Sequence, residues 1–148
     1  LASQNKEDQL RRILYELQMM ESTAQVLQQR LQILTSVQTE LSVSQQSLND
    51  MKALQPETPM LVPIGGAAFI HAKMGPIDKV IVGVGADVSI EMELPKALDD
   101  VNKRLEEVEK TLASVEEQLG QVLAQMQSHQ EVGNRLSAEL QGGAANVR

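Results

Sequence analysis

Glu106, Glu107, Glu109, Glu116 and Glu117 gather carboxylates in one stretch of the chain. Carboxylates this close could work as a general acid and base. On a helix, however, they make a solvated flank, with Glu106 and Lys110 spaced i,i+4 for mutual support. His71 and His129 are the only histidines. They fall in separate elements, which argues against a metal site or a proton relay. The chain has no cysteine and therefore no disulfide and no thiolate metal site. Gly65-Gly66 and Gly83-Val84-Gly85 could cradle a phosphate only if a helix N-terminus followed a strand there. More strand follows in both places, and no Gly-Lys-Ser/Thr occurs, so both read as turns. No nucleophile stands beside a base. No enzyme activity, catalytic residue, metal or cofactor is expected, and any function should proceed without ATP.

The elements that carry these residues follow two long heptad patterns. The first sets Leu10, Leu17, Ala24 and Leu31 at one seam position, and Ile13, Met20, Leu27, Leu34, Leu41 and Leu48 at the other. The second sets Leu98, Leu105, Leu112, Leu119 and Met126 against Val101, Val108, Val115 and Val122. Apolar residues at alternating steps of three and four make a narrow stripe that winds about a partner helix. At 1.5 Å per residue Lys6 to Leu54 would run about 74 Å and Pro95 to Leu140 about 69 Å. Similar lengths joined by a segment that can turn back predict an antiparallel coiled-coil arm. Gln38 and Gln45 interrupt the first seam as tolerated polar residues, and His129 and Gly133 loosen the second. Glu7 and Asp8 suit the start of the first helix, and Asp99 and Asp100 the start of the second, where the dipole is positive.

Between the helices the period changes to two. Met60–Ile64, Ala67–Lys73, Lys79–Val84 and Asp87–Met92 read as four strands in two hairpins, turning at Gly65-Gly66 and Gly85-Ala86. Two isolated hairpins bury little and leave unpaired edges. The expected boundaries are a first helix over 1–54, a hairpin segment over 55–93, a second helix over 94–141 stopped by Gly142-Gly143, and a disordered tail over 142–148. The fold class is mainly α: a long antiparallel coiled-coil arm with a small β head of two hairpins that forms part of an oligomeric β-barrel. Val62, Ile64, Ile70, Val80, Val82, Val84, Val88 and Ile90 are the candidate oligomerisation residues.

The net charge of −7 argues against a nucleic-acid partner, which requires clustered Lys and Arg. No apolar run is long enough to span a bilayer, and the N-terminus lacks a signal-peptide core, so a cytoplasmic protein with no membrane partner is expected. One Tyr, one Phe and no Trp suit an extended pair of helices better than a compact core.

The helix–hairpin–hairpin–helix order resembles the α-class subunits of prefoldin, a cytosolic chaperone. The most specific match is Leu61-Val62-Pro63-Ile64-Gly65-Gly66-Ala67-Ala68-Phe69 with Asp78-Lys79-Val80-Ile81-Val82-Gly83-Val84-Gly85. Two hairpins favour the α class over the β class, whose pattern has one. The resemblance implies a hexamer of two α and four β prefoldin subunits, with unfolded polypeptides held at the coiled-coil tips and passed to a group II chaperonin. Leu10, Leu14, Met19, Leu136 and Leu140 fall in the distal section and are the candidate client-binding residues, Met19 for its adaptable thioether. The alternative is a coiled-coil scaffold or adaptor whose arms bind one defined partner.

Overall fold

The computed structural model describes residues 1–145. The order of elements is α1 (Ala2–Met51), β1 (Pro59–Gly65), β2 (Ala68–Lys73), β3 (Lys79–Gly85), β4 (Val88–Glu93) and α2 (Leu94–Ala145). The chain is mainly α, with two separate two-stranded antiparallel sheets. It divides into two compact units: Leu1–Thr35 with α2 from Lys110 onward, and Ser36–Glu109.

In the first unit the two helices pack antiparallel. Lys6 Nζ lies 2.8 Å from Glu139 Oε2, and Glu16 Oε2 lies 2.9 Å from His129 Nε2. Every heptad seam position from Leu10 to Leu34 on α1, and from Leu112 to Leu140 on α2, is buried or half-buried. Val115 is only 1% exposed. The burial therefore follows the apolar stripe residue by residue, as knobs-into-holes packing requires. Gly133 is buried opposite Ile13, whose Cγ2 would stand 3.5 Å from an added Cβ. The gap left by that glycine is thus about one methyl group.

In the second unit, Leu48 of α1, Met92 of β4 and Leu94, Ala97 and Val101 of α2 form the core, with Val80 and Val82 packed against it. Gln45 belongs to the seam and is not loose there. Its Nε2 donates to Asn102 Oδ1 at 2.6 Å, partly buried. Asp99 and Asp100 lie beyond the first turn of α2, where no acidic residue stands. They pair instead with Lys103 at 3.0 Å and Arg104 at 2.8 Å, the latter an ion pair without hydrogen-bond geometry. The N-terminal need of α2 is met by backbone: Leu94 N–H donates to the Asp78 carbonyl at 3.0 Å. Arg104 also donates to the Gly83 carbonyl at 3.0 Å and so ties β3 to α2. Glu7 and Asp8 likewise lie beyond the first turn of α1, which has no acidic residue.

The hairpins are two copies of one plan. Val62 pairs with Ile70 and Val82 with Ile90, and each cross-strand pair of the first recurs twenty residues on in the second. Both registers shift before the turn, between Pro63 and Gly65 and between Gly83 and Gly85. The turn residues are Gly66-Ala67 and Ala86-Asp87, one step later than the glycines suggest. Gly65 (φ 99°) and Gly85 (φ 106°) sit at the bulge, while Ala67 (φ 59°), Ala86 (φ 49°) and Asp87 (φ 58°) supply the positive φ of a primed turn.

Two further boundaries differ from the sequence reading. The first helix ends at Met51 and unwinds through i,i+3 bonds at Lys52, Ala53 and Leu54. Gly142-Gly143 does not stop the second, which runs to Ala145. Glycine permits a stop but does not impose one while the i→i−4 ladder can continue. The remainder of the expected tail lies outside the described residues.

Gln45→Leu alone should lower stability by about 1 kcal/mol, because Asn102 then keeps a half-buried amide without its partner. Gln45→Leu with Asn102→Leu should recover or exceed the parent stability, as an apolar pair does in a seam. Urea unfolding of the three proteins checks both outcomes.

Candidate protein-interaction surfaces

Alternation along the strands sorts the hairpin side chains into two faces. Met60, Val62, Ile64, Ile70 and Ala72 share one face of the first hairpin; Val80, Val82, Val84, Val88, Ile90 and Met92 share the matching face of the second. These faces are unequally used. In the second, Met92 is buried and Val80 and Val82 pack on the core. The first contributes no side chain to that core. Ile64 is 61% exposed and Ile70 49%, with Phe69 at 57% on the reverse face. Val84, Val88 and Ile90 are also exposed, and Val62 is half-buried. Eight expected interface residues thus separate into two classes. Val80 and Val82 already have intrachain partners, and charging them would damage the core itself. Val62, Ile64, Ile70, Val84, Val88 and Ile90 are the ones the chain leaves available.

The five residues expected at the helix ends also separate. Leu10, Leu136 and Leu140 are half-buried in the seam, whereas Leu14 and Met19 are exposed. Leu140 lines a cleft of about 540 Å³ with Ala2, Lys6, Glu139 and Ala144. Met19 lines a different cleft of about 320 Å³ with Tyr15, Met20, Thr23, Val122 and Gln125. The five do not form one patch, because the seam between them is closed.

That closure is partly polar. His129 Nε2 meets Glu16, and its Nδ1 lies 2.9 Å from the Gln125 carbonyl oxygen. Both partners accept, so the doubly protonated ring can donate to both. Arg12 holds the other Glu16 oxygen at 3.0 Å. The Arg12 hydrogen bond, followed by that of His129, keeps the Glu16 carboxyl below its ordinary pKa. Lys6 does the same for Glu139. His129 is therefore a cross-helix contact rather than a weak point. Its spacing from Glu16 is readable once the antiparallel register is known, but not from heptads alone.

Among the described residues, no helix is long and apolar enough to cross a membrane, and no group of three or more His, Cys, Asp or Glu could hold a metal ion.

Comparison with known proteins gives a consistent result. A family model described as Prefoldin subunit matches residues 20–139. The chain is 32% identical over 105 residues to the prefoldin subunit alpha of Pyrococcus horikoshii, covering 70% of each chain. It is 35% identical over 96 residues to that of Methanococcus aeolicus, covering 65% of each, and 33% over 100 residues to that of Thermococcus onnurineus, covering 67% of this chain and 68% of the other. In fold it matches a chain of the cryo-EM structure of filamentous PFD from Methanocaldococcus jannaschii, with a TM-score of 0.66 at 23% identity, covering 77% of this chain and 94% of that one.

The Glu16 pairs set an acid limit on the helix pair. A depressed folded-state pKa contributes stability that is present above the ordinary value of 4.5 and is lost as pH falls through the folded value. Melting followed by circular dichroism should therefore drop on the acid side of pH 4.5. Glu16→Gln should lower the neutral-pH melting temperature slightly and flatten that acid-side fall.

Proposed function

The chain belongs to the prefoldin family as an α-class subunit, and we propose that it acts in the cytoplasm as an ATP-independent holding chaperone. In this reading it assembles with β-class subunits, two α to four β, through its hairpins. The assembly takes hold of non-native polypeptides near the free ends of its helices and delivers them to a group II chaperonin. The observation that carries the reading is the first hairpin. It folds with a full cross-strand ladder yet leaves Ile64, Phe69 and Ile70 exposed and gives nothing to the chain's own core. Unpaired edges beside exposed apolar faces favour strands from neighbouring subunits, which would close a barrel.

Client holding draws support from the other unit. Leu14 and Met19 stand exposed at 56% and 54% on helices whose seam is already satisfied. The chain leaves about half of each side chain uncovered, free to cover apolar segments of another. Several such weak contacts on one assembly would add through avidity, by roughly 10² to 10⁴ over a single contact. Nothing in this mechanism consumes a nucleotide.

Two experiments test the parts separately. Val62→Glu with Ile70→Glu should prevent assembly with a β-class partner by sedimentation while leaving helicity largely intact, because the helix seams do not use those residues. The parent assembly should then suppress aggregation of several unrelated denatured proteins without nucleotide, and removal of residues before Arg12 and after Gly133 should abolish that protection. Protection of one defined protein alone would instead favour the scaffold reading.

A further inference from the structure

Each hairpin turns some backbone groups toward its partner strand and the rest outward. Met74 N–H donates to the Thr58 carbonyl at 2.9 Å, and Leu94 N–H to that of Asp78 at 3.0 Å. In an antiparallel pair, positions that bond across alternate with positions that do not. With the observed register, the outward residues are Pro59, Leu61 and Pro63 on β1 and Phe69, His71 and Lys73 on β2. In the second hairpin they are Lys79, Ile81 and Gly83 on β3 and Ser89, Glu91 and Glu93 on β4. The Gly83 carbonyl agrees, since it accepts from Arg104 at 3.0 Å rather than from β4.

The four edges are therefore unlike one another. On β1, Pro59 and Pro63 have no N–H, so Leu61 is the one outward donor. On β3, Arg104 already occupies the Gly83 acceptor. Neither obstacle stands on β2 or β4, and neither strand contains a proline. These two edges are also opposite in charge. His71 and Lys73 project from one face of β2, both exposed. Lys73 lies 3.5 Å from Glu57, in a pair whose side chains are 70% and 76% exposed, so that pair holds it weakly. Glu91 and Glu93 project from the matching face of β4, also exposed. Glu93 stands across from Lys79, but Glu91 stands across from Ile81 and has no cross-strand base.

We propose, resting on the assembly through hairpins described above, that β2 of one copy of this chain pairs with β4 of a second copy, and that Lys73 and Glu91 decide this match. Strand pairing joins outward groups to outward groups. It therefore gathers His71 and Lys73 with Glu91 and Glu93 on one face of the joined sheet. The other face then brings Ile70 alongside Val88 and Ile90, which are 49%, 51% and 43% exposed in the single chain. The alternative pairings lack this fit. Joining β2 to β2 collects only His71 and Lys73 on that face, and joining β4 to β4 collects only Glu91 and Glu93. Like charges brought together across strands are destabilising. A twofold axis lets two copies make the junction twice. Each junction ends in β1 on one side and β3 on the other, the two obstructed edges, which are left for strands of another subunit class.

The test first maps the edges in the full chain assembled with its β-class partner. The chain has no cysteine, so single introduced cysteines report which edges meet. His71→Cys chains and Ser89→Cys chains, mixed before assembly and treated with a short bismaleimide, should yield a crosslinked pair of this chain. Neither variant alone should do so. The charge match is then read from self-association of the chain without its partner, by sedimentation equilibrium. Lys73→Glu should weaken that association by about tenfold, because the change acts at both junctions. Adding Glu91→Lys should restore it, whereas a role of Lys73 through Glu57 alone would gain nothing from the second change. A crosslink in either variant alone, or none in the mixture within an intact assembly, overturns the inference and leaves the chaperone reading standing. A parent chain that stays monomeric at every concentration, or a double variant no better than Lys73→Glu, also overturns it. If no assembly forms with the β-class partner and no crosslink appears, both readings fail together.

Discussion

Two helices joined along one seam can satisfy only the narrow stripe that each turns toward the other. That constraint governs the rest of the chain. Within the first unit the seam is filled from Leu10 to Leu34 on α1, opposite Leu112 to Leu140 on α2. Once it is filled, any further large apolar residue on either helix has nowhere to go inside the chain. The hairpins face the same limit in another form. Four strands in two separate sheets bury only part of one face of one hairpin, through Val80, Val82 and Met92, and leave the other hairpin without a core. The exposed apolar area is therefore a consequence of the architecture, and its placement is the part that function can use.

Polar residues in the seam fix its register at little cost to its closure. Gln45 meets Asn102 in the second unit, and His129 meets Glu16 in the first. A slip of the helices by one turn would leave each of these half-buried groups unpaired, which costs more than a lost apolar contact of similar size. Lys6 with Glu139 adds a more exposed pair, of the kind whose contribution is small. The register in turn places Tyr15 and Met19 beside Val122, so the cleft on that side depends on pairs that do not line it, apart from Glu16.

The helices were the most legible part of the sequence, because period and burial obey one rule. Turns were less so. Glycine marks both a bulge and a turn, and Gly65 and Gly85 take the bulge, leaving Ala67, Ala86 and Asp87 to adopt the positive φ that glycine usually supplies. Gly142-Gly143 shows the converse, a pair that could end a helix and does not. Interaction residues were legible as apolar but not as exposed. Val80 and Ile90 lie on matching faces, yet one packs on the core and the other does not. Leu10 and Leu14 are one turn apart, yet one is in the seam and the other outside it. Strand alternation and heptad position state which face a residue takes; only tertiary packing states whether that face is covered.

The central claim is that the hairpins of one chain are incomplete and are finished by other subunits. Hydrogen exchange of the strand amides, measured on the dilute chain alone and again after mixing with a β-class partner, addresses it directly. The account predicts fast exchange across Pro59–Lys73 in the isolated chain, alongside protected seam amides in the helices, and strong protection of that segment in the mixture. Equal protection of the first hairpin in the isolated, monomeric chain would contradict it.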